Sequence, residues 1–224
     1  MAVFVFPWLP VRHQTTYITA WSRRVVNIFH IQVVFINPNN FPPSGGFSVV
    51  SNHVSWIDIQ VISTFASCRF ITTSEIRAWP VIGRMVEASG ALFLDMKHIR
   101  QSTREVTQQM AALLRAGETL GFFPEATSTE GLAVLPFKAN LFQASVDSQT
   151  PVYPIAIQYK DRSGKLSSAA GFHGDMTLLT CMRNILSHAP LTAEVRFLTP
   201  LPVMSNRKEM CRACESQIKA VFQL

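Results

Sequence analysis

The sequence predicts an α/β domain with a mixed, largely parallel sheet flanked by helices and preceded by an N-terminal amphipathic helix. Three observations predict this. Short runs rich in β-branched and aromatic residues alternate with stretches of helical periodicity, the pattern of βαβ units. The 224 residues are 48% hydrophobic and only 15% charged, which fills a large core and is too apolar for disorder. No boundary between two folded domains and no repeat of solenoid length is visible, so the chain divides into an N-terminal segment over 1–36 and one domain over 37–224.

Tyr17, Ile18, Trp21, Val25, Ile28 and Phe29 recur at helical spacing, with Arg23 and Arg24 off the centre of that face. Such a helix either docks on a core or lies at an interface. Gln32 to Ile36 is β-rich, and the Pro/Gly/Asn-rich stretch 37–46 is a loop. Phe47 to Ser51 is a short buried strand that runs through Asn52-His53 into a helix from Ile57 towards Phe65. Cys68 to Thr72 and Gly90 to Leu94 are strands, separated by short helical pieces broken at Pro80. Ile99, Thr103, Val106, Met110 and Leu113 mark a long helix that stops at Gly117, a residue type suited to the position after a helix end. Thr119 to Phe123 is a strand closed by Pro124. A helix over 141–146, a strand over 151–159, a helix over 178–186, a strand over 193–198 and a helix over 208–222 complete the chain.

Twenty basic against 14 acidic side chains give a net charge of +6, which favours an anionic partner. No Asp or Glu precedes Asp58, while Arg12, Arg23 and Arg24 sit among Phe4, Phe6, Trp8, Tyr17, Trp21 and Phe29. Apolar plus basic without acid fits a membrane surface better than nucleic acid. A spanning helix needs roughly 20 apolar residues; Val25 to Ile36 is shorter and holds Asn27, His30 and Gln32, and Met1 to Val11 carries Pro7 and Pro10. The expectation is a chain that lies on a membrane without crossing it. Cys68, Cys181, Cys211 and Cys214 form no disulfide framework, and the single C-x-x-C has no second ligand pair, so no metal is expected.

The first chemical constellation is Ser51-Asn52-His53-Val54-Ser55-Trp56-Ile57-Asp58, where a strand ends and a helix begins. Residues five apart on a regular helix diverge by about 140°. His53 and Asp58 therefore meet only if His53 sits in the turn before the helix and Asp58 in its first turn. Asp58 would then hold one imidazole nitrogen and leave the other to take a proton. The bland reading is a buried histidine tied to its neighbour for structural reasons. The second constellation is Gly121-Phe122-Phe123-Pro124-Glu125-Ala126-Thr127-Ser128, another strand end that carries a carboxylate and hydroxyls to the same edge. Among the other histidines only His173, beside Gly174-Asp175, invites a functional reading.

Taken together these blocks resemble the glycerophospholipid acyltransferases. Asn52-His53 followed by Asp58 matches the family's N-H-x-x-x-x-D. Gly90-Ala91-Leu92-Phe93-Leu94-Asp95 is similar to its second block, Phe123 to Ser128 to its third, F-P-E-G-T-R, and Pro151-Val152-Tyr153-Pro154-Ile155 to its fourth. The resemblance implies that His53 deprotonates a lysolipid hydroxyl, which attacks an acyl thioester, and that Asp58 orients His53. Asn52, Glu125, Thr127 and Ser128 would bind substrate; where this chain lacks the family's arginines, nearby Lys97, Arg100 or Arg104 would supply the positive charge. Backbone N–H groups at the start of the helix after His53 are candidate donors to the oxyanion. No cofactor is implied beyond the co-substrate, acyl-CoA or acyl-carrier protein. The implied partners are a lysolipid acceptor and an anionic membrane surface, with no nucleic acid. The implied place is peripheral, on the cytoplasmic face of a membrane, the inner membrane in a bacterium.

The departures concern the acceptor. Met96 and Ser128 stand where the family has arginines associated with phosphate, and Ala126 where it has Gly. The leading expectation is 1-acyl-sn-glycerol-3-phosphate in phospholipid biosynthesis. The alternatives are a non-phosphate lysolipid such as a lyso-ornithine lipid, which 171–178 also resembles, or a catalytically silent lipid-binding protein on the same fold. The chain has no G-x-S-x-G elbow for an esterase and no G-x-x-x-x-G-K phosphate loop.

Overall fold

Seven strands form one sheet: β1 (Ile31–Ile36), β2 (Ser48–Ser51), β3 (Arg69–Thr73), β4 (Leu92–Leu94), β5 (Leu120–Phe122), β6 (Val152–Lys160) and β7 (Leu191–Phe197). The computed structural model describes residues 11–42, 45–78 and 82–223. The apolar start over 1–10 and the break at Pro80 lie outside the described residues. The spatial order is β1-β7-β6-β2-β5-β3-β4. Every neighbouring pair is parallel except β6 with β7. β2 is thus the central strand, and its carboxyl end opens between those of β5 and β6, where parallel sheets present functional groups.

Helices cover both faces: α1 (Val11–Ile28), α2 (Ile57–Ser63), α3 (Ile82–Ala88), α4 (Ile99–Arg115), α5 (Gln143–Ser148), α6 (Leu178–Ser187) and α7 (Arg207–Val221). Side chains alternate across a strand, so consecutive residues feed different cores. Val49, Ile155, Ile157 and Tyr159 pack with Val26 of α1, Ile57 and Val61 of α2, and Cys181 and Ile185 of α6. Val50, Leu120, Phe122 and Ala156 pack with Met110 and Leu114 of α4 and with Met210, Cys214 and Ile218 of α7. Cys211 and Cys214 therefore face the second core. Burial raises both thiol pKa values, that of Cys211 to about 11, and neutral thiols behave as small hydrophobes.

Two expectations change. β1 pairs with β7 from Ile31 to Ile36, so the sheet begins inside the segment assigned to the N-terminus, and a boundary at 36/37 cuts through it. The α1 face that docks is also rotated from the one read from the apolar spacing: the two share Val25 and Phe29, but the docked face also takes in Ser22 and Val26. Ser22 Oγ donates to Gln60 Oε1 at 3.0 Å, Val26 is buried, and Phe29 meets Trp56 edge-on at 5.2 Å. Trp21 and Ile28 lie roughly 120° round the helix from this face and remain 41% and 65% exposed. A buried serine with a partner on α2 hides the docked face from a search for apolar residues. Among the described residues no helix is long and apolar enough to cross a membrane.

Gly121 of β5 shows how tightly the sheet is covered near its functional edge. A Cβ there would stand 2.6 Å from the Phe70 ring, and that ring is parallel to Phe123 at 6.0 Å. Gly121→Ala is expected to cost about 1–3 kcal/mol through overpacking, a fall in Tm of roughly 2–4 °C per kcal/mol. Thermal unfolding followed by circular dichroism measures it; an unchanged Tm would show that Phe70 yields freely.

Candidate active site

β2 ends at Ser51, and the chain turns away from the sheet at Asn52. The Asn52 side chain continues the ladder in place of backbone: Nδ2 donates to Ile157 O at 2.9 Å and Oδ1 accepts from Ile157 N at 2.8 Å. An amide side chain can substitute for a peptide unit because it has one acceptor and a donor in the same plane. Asn52 is buried and its amide is turned into the sheet, so its place is to hold the turn rather than to touch substrate.

The next residue, His53, lies in the coil before α2, and Asp58 lies in the first turn of α2. They meet: His53 Nδ1 and Asp58 Oδ2 are 2.9 Å apart. The same oxygen accepts from Val54 N at 2.7 Å and Ser55 N at 2.8 Å, which curls the chain back and fixes the dyad. These two N–H groups are therefore committed to Asp58 and are not open to a substrate oxyanion. With Nδ1 bonded to Asp58, Nε2 is the nitrogen left to accept a proton. The His53 side chain is 21% exposed. Phe123 stacks on it at 4.0 Å with ring planes 12° apart, so the imidazole is held by a carboxylate at its edge and an aromatic ring on its face.

Glu125 enters from the coil after β5. It is 3% exposed; Oε1 accepts from His53 N at 2.7 Å and Oε2 from Leu135 N at 2.8 Å. Burial raises its pKa, and the bonds from the His53 and Leu135 N–H groups oppose that rise. Glu125 thus staples the coil after β5 to the His53 turn, and both oxygens are taken. The sequence assigned it to the acceptor headgroup; its geometry is that of a positioning group. A second tie lies alongside, where Thr129 N and Oγ1 both donate to His53 O at 3.0 and 3.1 Å.

The hydroxyls at the rim are arranged differently. Thr127 is exposed, and its Oγ1 contacts only Ser128 O, at 3.4 Å. Ser128 Oγ donates to Phe172 O, and Phe172 N donates to Val54 O at 2.9 Å. His173 follows on the same loop, exposed, with Nδ1 3.8 Å from Glu130 Oε1. Ala126 has φ +60°, a left-handed conformation that costs a non-glycine residue about 1–2 kcal/mol. The turn imposes it: Ala126 N donates to Phe123 O at 3.1 Å.

Lys97 and Arg100 are exposed beyond β4. Lys97 lines an open cleft of about 530 Å³ with Ser74, Arg77, Asp95 and Gln109. Arg77 there pairs with Glu87 at 3.2 Å and lies over the Phe93 ring. β4 stands three strand positions from β2, about 14 Å at ordinary strand spacing. The cleft shares the carboxyl edge of the sheet with the dyad but does not adjoin it through one strand. The sequence reading missed two residues of the site. Phe123 was read as the end of a strand and the first residue of the third block, with no role at the imidazole. Tyr159, whose hydroxyl donates to Asp58 Oδ1 at 2.7 Å, was read only as the end of a strand.

Comparison with known proteins shows the family. The Acyltransferase family model matches residues 32–158. The 1-acyl-sn-glycerol-3-phosphate acyltransferase of Neisseria gonorrhoeae is 37% identical over 153 residues, 68% of this chain and 59% of that protein. The lyso-ornithine lipid O-acyltransferase of Brucella abortus is 31% identical over 223 residues, 91% of this chain and 83% of that protein. The chain spans 59% of the length of the Neisseria relatives it matches. The crystal structure of the 1-acyl-sn-glycerophosphate acyltransferase PlsC from Thermotoga maritima shares the fold, with a TM-score of 0.71 at 22% identity over 99% of this chain and 86% of that one. The sheet with its dyad at the carboxyl end of β2, and the extent of these matches, place the chain in the acyltransferase family.

Proposed function

We propose that the protein is a membrane-associated O-acyltransferase that moves a fatty acyl chain from a thioester, acyl-CoA or acyl-carrier protein, to the hydroxyl of a lysolipid. The observation that carries this reading is the commitment of His53 Nδ1 to a buried carboxylate, which leaves Nε2 to act on a substrate hydroxyl. No protein nucleophile is required. As the acceptor oxygen attacks the thioester carbonyl carbon, its proton passes to Nε2. The C–O bond forms, the C–S bond breaks, and the imidazolium returns the proton to the leaving thiolate. A thiol of pKa near 8.5 leaves without a strong acid. Asp58 stabilises the positive charge that the ring acquires on the way.

The acceptor carries an acidic headgroup in the first reading, 1-acyl-sn-glycerol-3-phosphate, with Lys97 and Arg100 as the supporting cations at the sheet edge. A second reading, a lyso-ornithine lipid, is favoured by one observation. Ser128 stands in place of an arginine, and its hydroxyl is bound to Phe172 O, so the third block presents no cation to a phosphate.

The acceptor's chain keeps it in a bilayer, and the exposed face of α1 fits that location. Trp21 and Ile28 share it with Arg24, and α1 contains no acidic residue. On α6, whose inner face places Cys181 beside Ser55, Leu179 is 76% exposed and Arg183 is exposed near it. Apolar side chains flanked by arginines insert at the interface of anionic lipid. Working there spares the acceptor a transfer to water of about 0.8 kcal/mol per CH₂.

Three outcomes are expected. His53→Ala loses about 10²–10⁴-fold of acyl transfer, measured with labelled acyl-CoA on a panel of lysolipids that includes lysophosphatidate and lyso-ornithine lipid; unchanged turnover would remove the general base. Glu125→Gln leaves one of two buried backbone N–H groups facing an amide NH₂, and loses about 1–3 kcal/mol of stability together with turnover; a fully active, equally stable variant would return Glu125 to the rim. Trp21→Ala combined with Ile28→Asp lowers flotation with phosphatidylglycerol vesicles by about fivefold or more; equal flotation would move the membrane contact away from α1.

A further inference from the structure

Asp58 is a fully buried carboxylate whose only ion-pair partner among the described residues is His53. A buried charge of this kind persists when its lone pairs are satisfied. Asp58 Oδ2 is saturated by three donors within the 53–55 turn. Oδ1 has one donor, and it comes from the far end of β6: the Tyr159 hydroxyl at 2.7 Å. Tyr159 is itself fully buried. Burial, then the adjacent Asp58 carboxylate, push the phenol pKa well above its usual value, so the group stays a neutral donor. We propose that Tyr159 is a positioning residue that sets both the orientation and the basicity of the His53–Asp58 pair. This rests on the reading of that pair as the general base of acyl transfer.

The argument is geometric. The three Oδ2 donors lie within five residues of Asp58 and hold one oxygen. Rotation of the carboxylate about its last torsion would keep some of them while carrying the line from Oδ2 to Nδ1 off axis. A single distant donor on Oδ1 removes that freedom, because it anchors the second oxygen to the sheet. It also draws charge from the carboxylate. A carboxylate with one hydrogen bond fewer is a stronger base, and it stabilises the imidazolium more than the neutral ring. Removing the hydroxyl therefore raises the pKa of His53, and strengthening it as a donor lowers that pKa.

The other titratable groups facing the pair are few. Glu125, from the coil after β5, meets the His53 backbone N–H. Cys181, from α6, approaches Ser55 Oγ at 3.5 Å, and burial raises its thiol pKa, which keeps it neutral. Lys160, the next residue of β6, pairs with Glu194 at 2.7 Å on the opposite face of the strand. None of these touches Asp58 Oδ1.

The test is a titration of the His53 imidazole by NMR in protein carrying ¹³C-labelled histidine, the His53 signal being the one missing from His53→Gln. In Tyr159→Phe the midpoint is expected to rise by about half a pH unit or more. The chain has three tyrosines, so biosynthetic replacement by 3-fluorotyrosine is nearly isosteric and makes the Tyr159 hydroxyl a stronger donor. That protein is expected to show a lower midpoint, and fluorination of Tyr159→Phe is expected to leave the midpoint of that variant in place. The fluorinated wild-type chain carries the test if Tyr159→Phe fails to fold. In acyl-transfer assays the acidic limb of kcat/KM is expected to move with the NMR midpoint, while the plateau of kcat falls about tenfold through lost orientation and the KM for the acceptor holds. Midpoints that coincide in all forms would overturn the proposal, leaving Tyr159 a core residue, even where acyl transfer is observed. Midpoints that shift as expected, in a wild-type protein that acylates no lysolipid, would support the positioning role and reject the proposed activity.

Discussion

A buried anion with no permanent cation beside it sits just past the carboxyl end of the central strand, and the surrounding architecture follows from the need to keep it there. Asp58 has a neutral phenol, two backbone N–H groups and an imidazole around it. Each hydrogen bond to a charged group contributes about 1.5–3 kcal/mol, and none of them can be moved without leaving a buried lone pair. The donors come from the end of β2 and the end of β6, which are adjacent only because β6 pairs parallel to β2 from Ser48 to Ser51. Asn52 carries that pairing one step past the last strand residue by bonding both backbone groups of Ile157. The register of the sheet and the orientation of the imidazole are therefore one constraint.

A second carboxylate reinforces the first. Glu125 is buried beside the same turn and raises a question of charge, because two anions near one another should repel. The repulsion with Asp58 does act to raise the Glu125 pKa, although burial is the larger cause. Two backbone N–H donors offset it, one of them that of His53 itself. The result is a site in which negative charge surrounds the one group that becomes positive during the proposed reaction. Preorganised charge of this kind is worth more than charge recruited at the moment of reaction, because no solvent has to reorganise. Phe123 contributes by covering one face of the ring and Phe70 by backing Phe123, which is why β5 carries Gly121 where any side chain would meet Phe70.

Most of the fold was readable from the sequence because its signals are local. Alternation places Val49 and Val50 on opposite faces of β2, the 99–113 periodicity marks α4, and Gly117, at φ +85°, follows its end. The His53–Asp58 contact was readable for the same reason, since five residues and one turn connect the two. The parts that were missed are non-local. Tyr159 is 101 positions from Asp58, and nothing in the sequence of a strand says which of its buried residues carries a hydroxyl to a charge. Asn52 and Glu125 were assigned to substrate through the resemblance of their blocks to those of the family. Their burial shows instead that polar side chains also replace backbone where a strand ends early. On α1 the docked face contains Ser22, so apolar spacing found Val25 and Phe29 but grouped them with Trp21 and Ile28, which stay exposed.

This division has a consequence for how such a site distinguishes its substrates. The groups that orient the imidazole are buried, and Asn52, Asp58, Glu125 and Tyr159 each have hydrogen-bond partners, so a change of residue there is costly. The groups that would meet a headgroup sit at the rim: Thr127 and Ser128 on the coil beside the dyad, Met96 and Lys97 on the coil after β4, and Arg100 in the first turn of α4. Ser128 Oγ is tied to Phe172 O, while the bond from Phe172 N to Val54 O fastens the rim loop to the dyad turn through backbone atoms that any residue would offer. A residue at the rim can then change from arginine to serine without disturbing Asp58. The physics that fixes the base is thereby separable from the physics that selects the acceptor, and a chain can keep the first intact while departing from its family in the second.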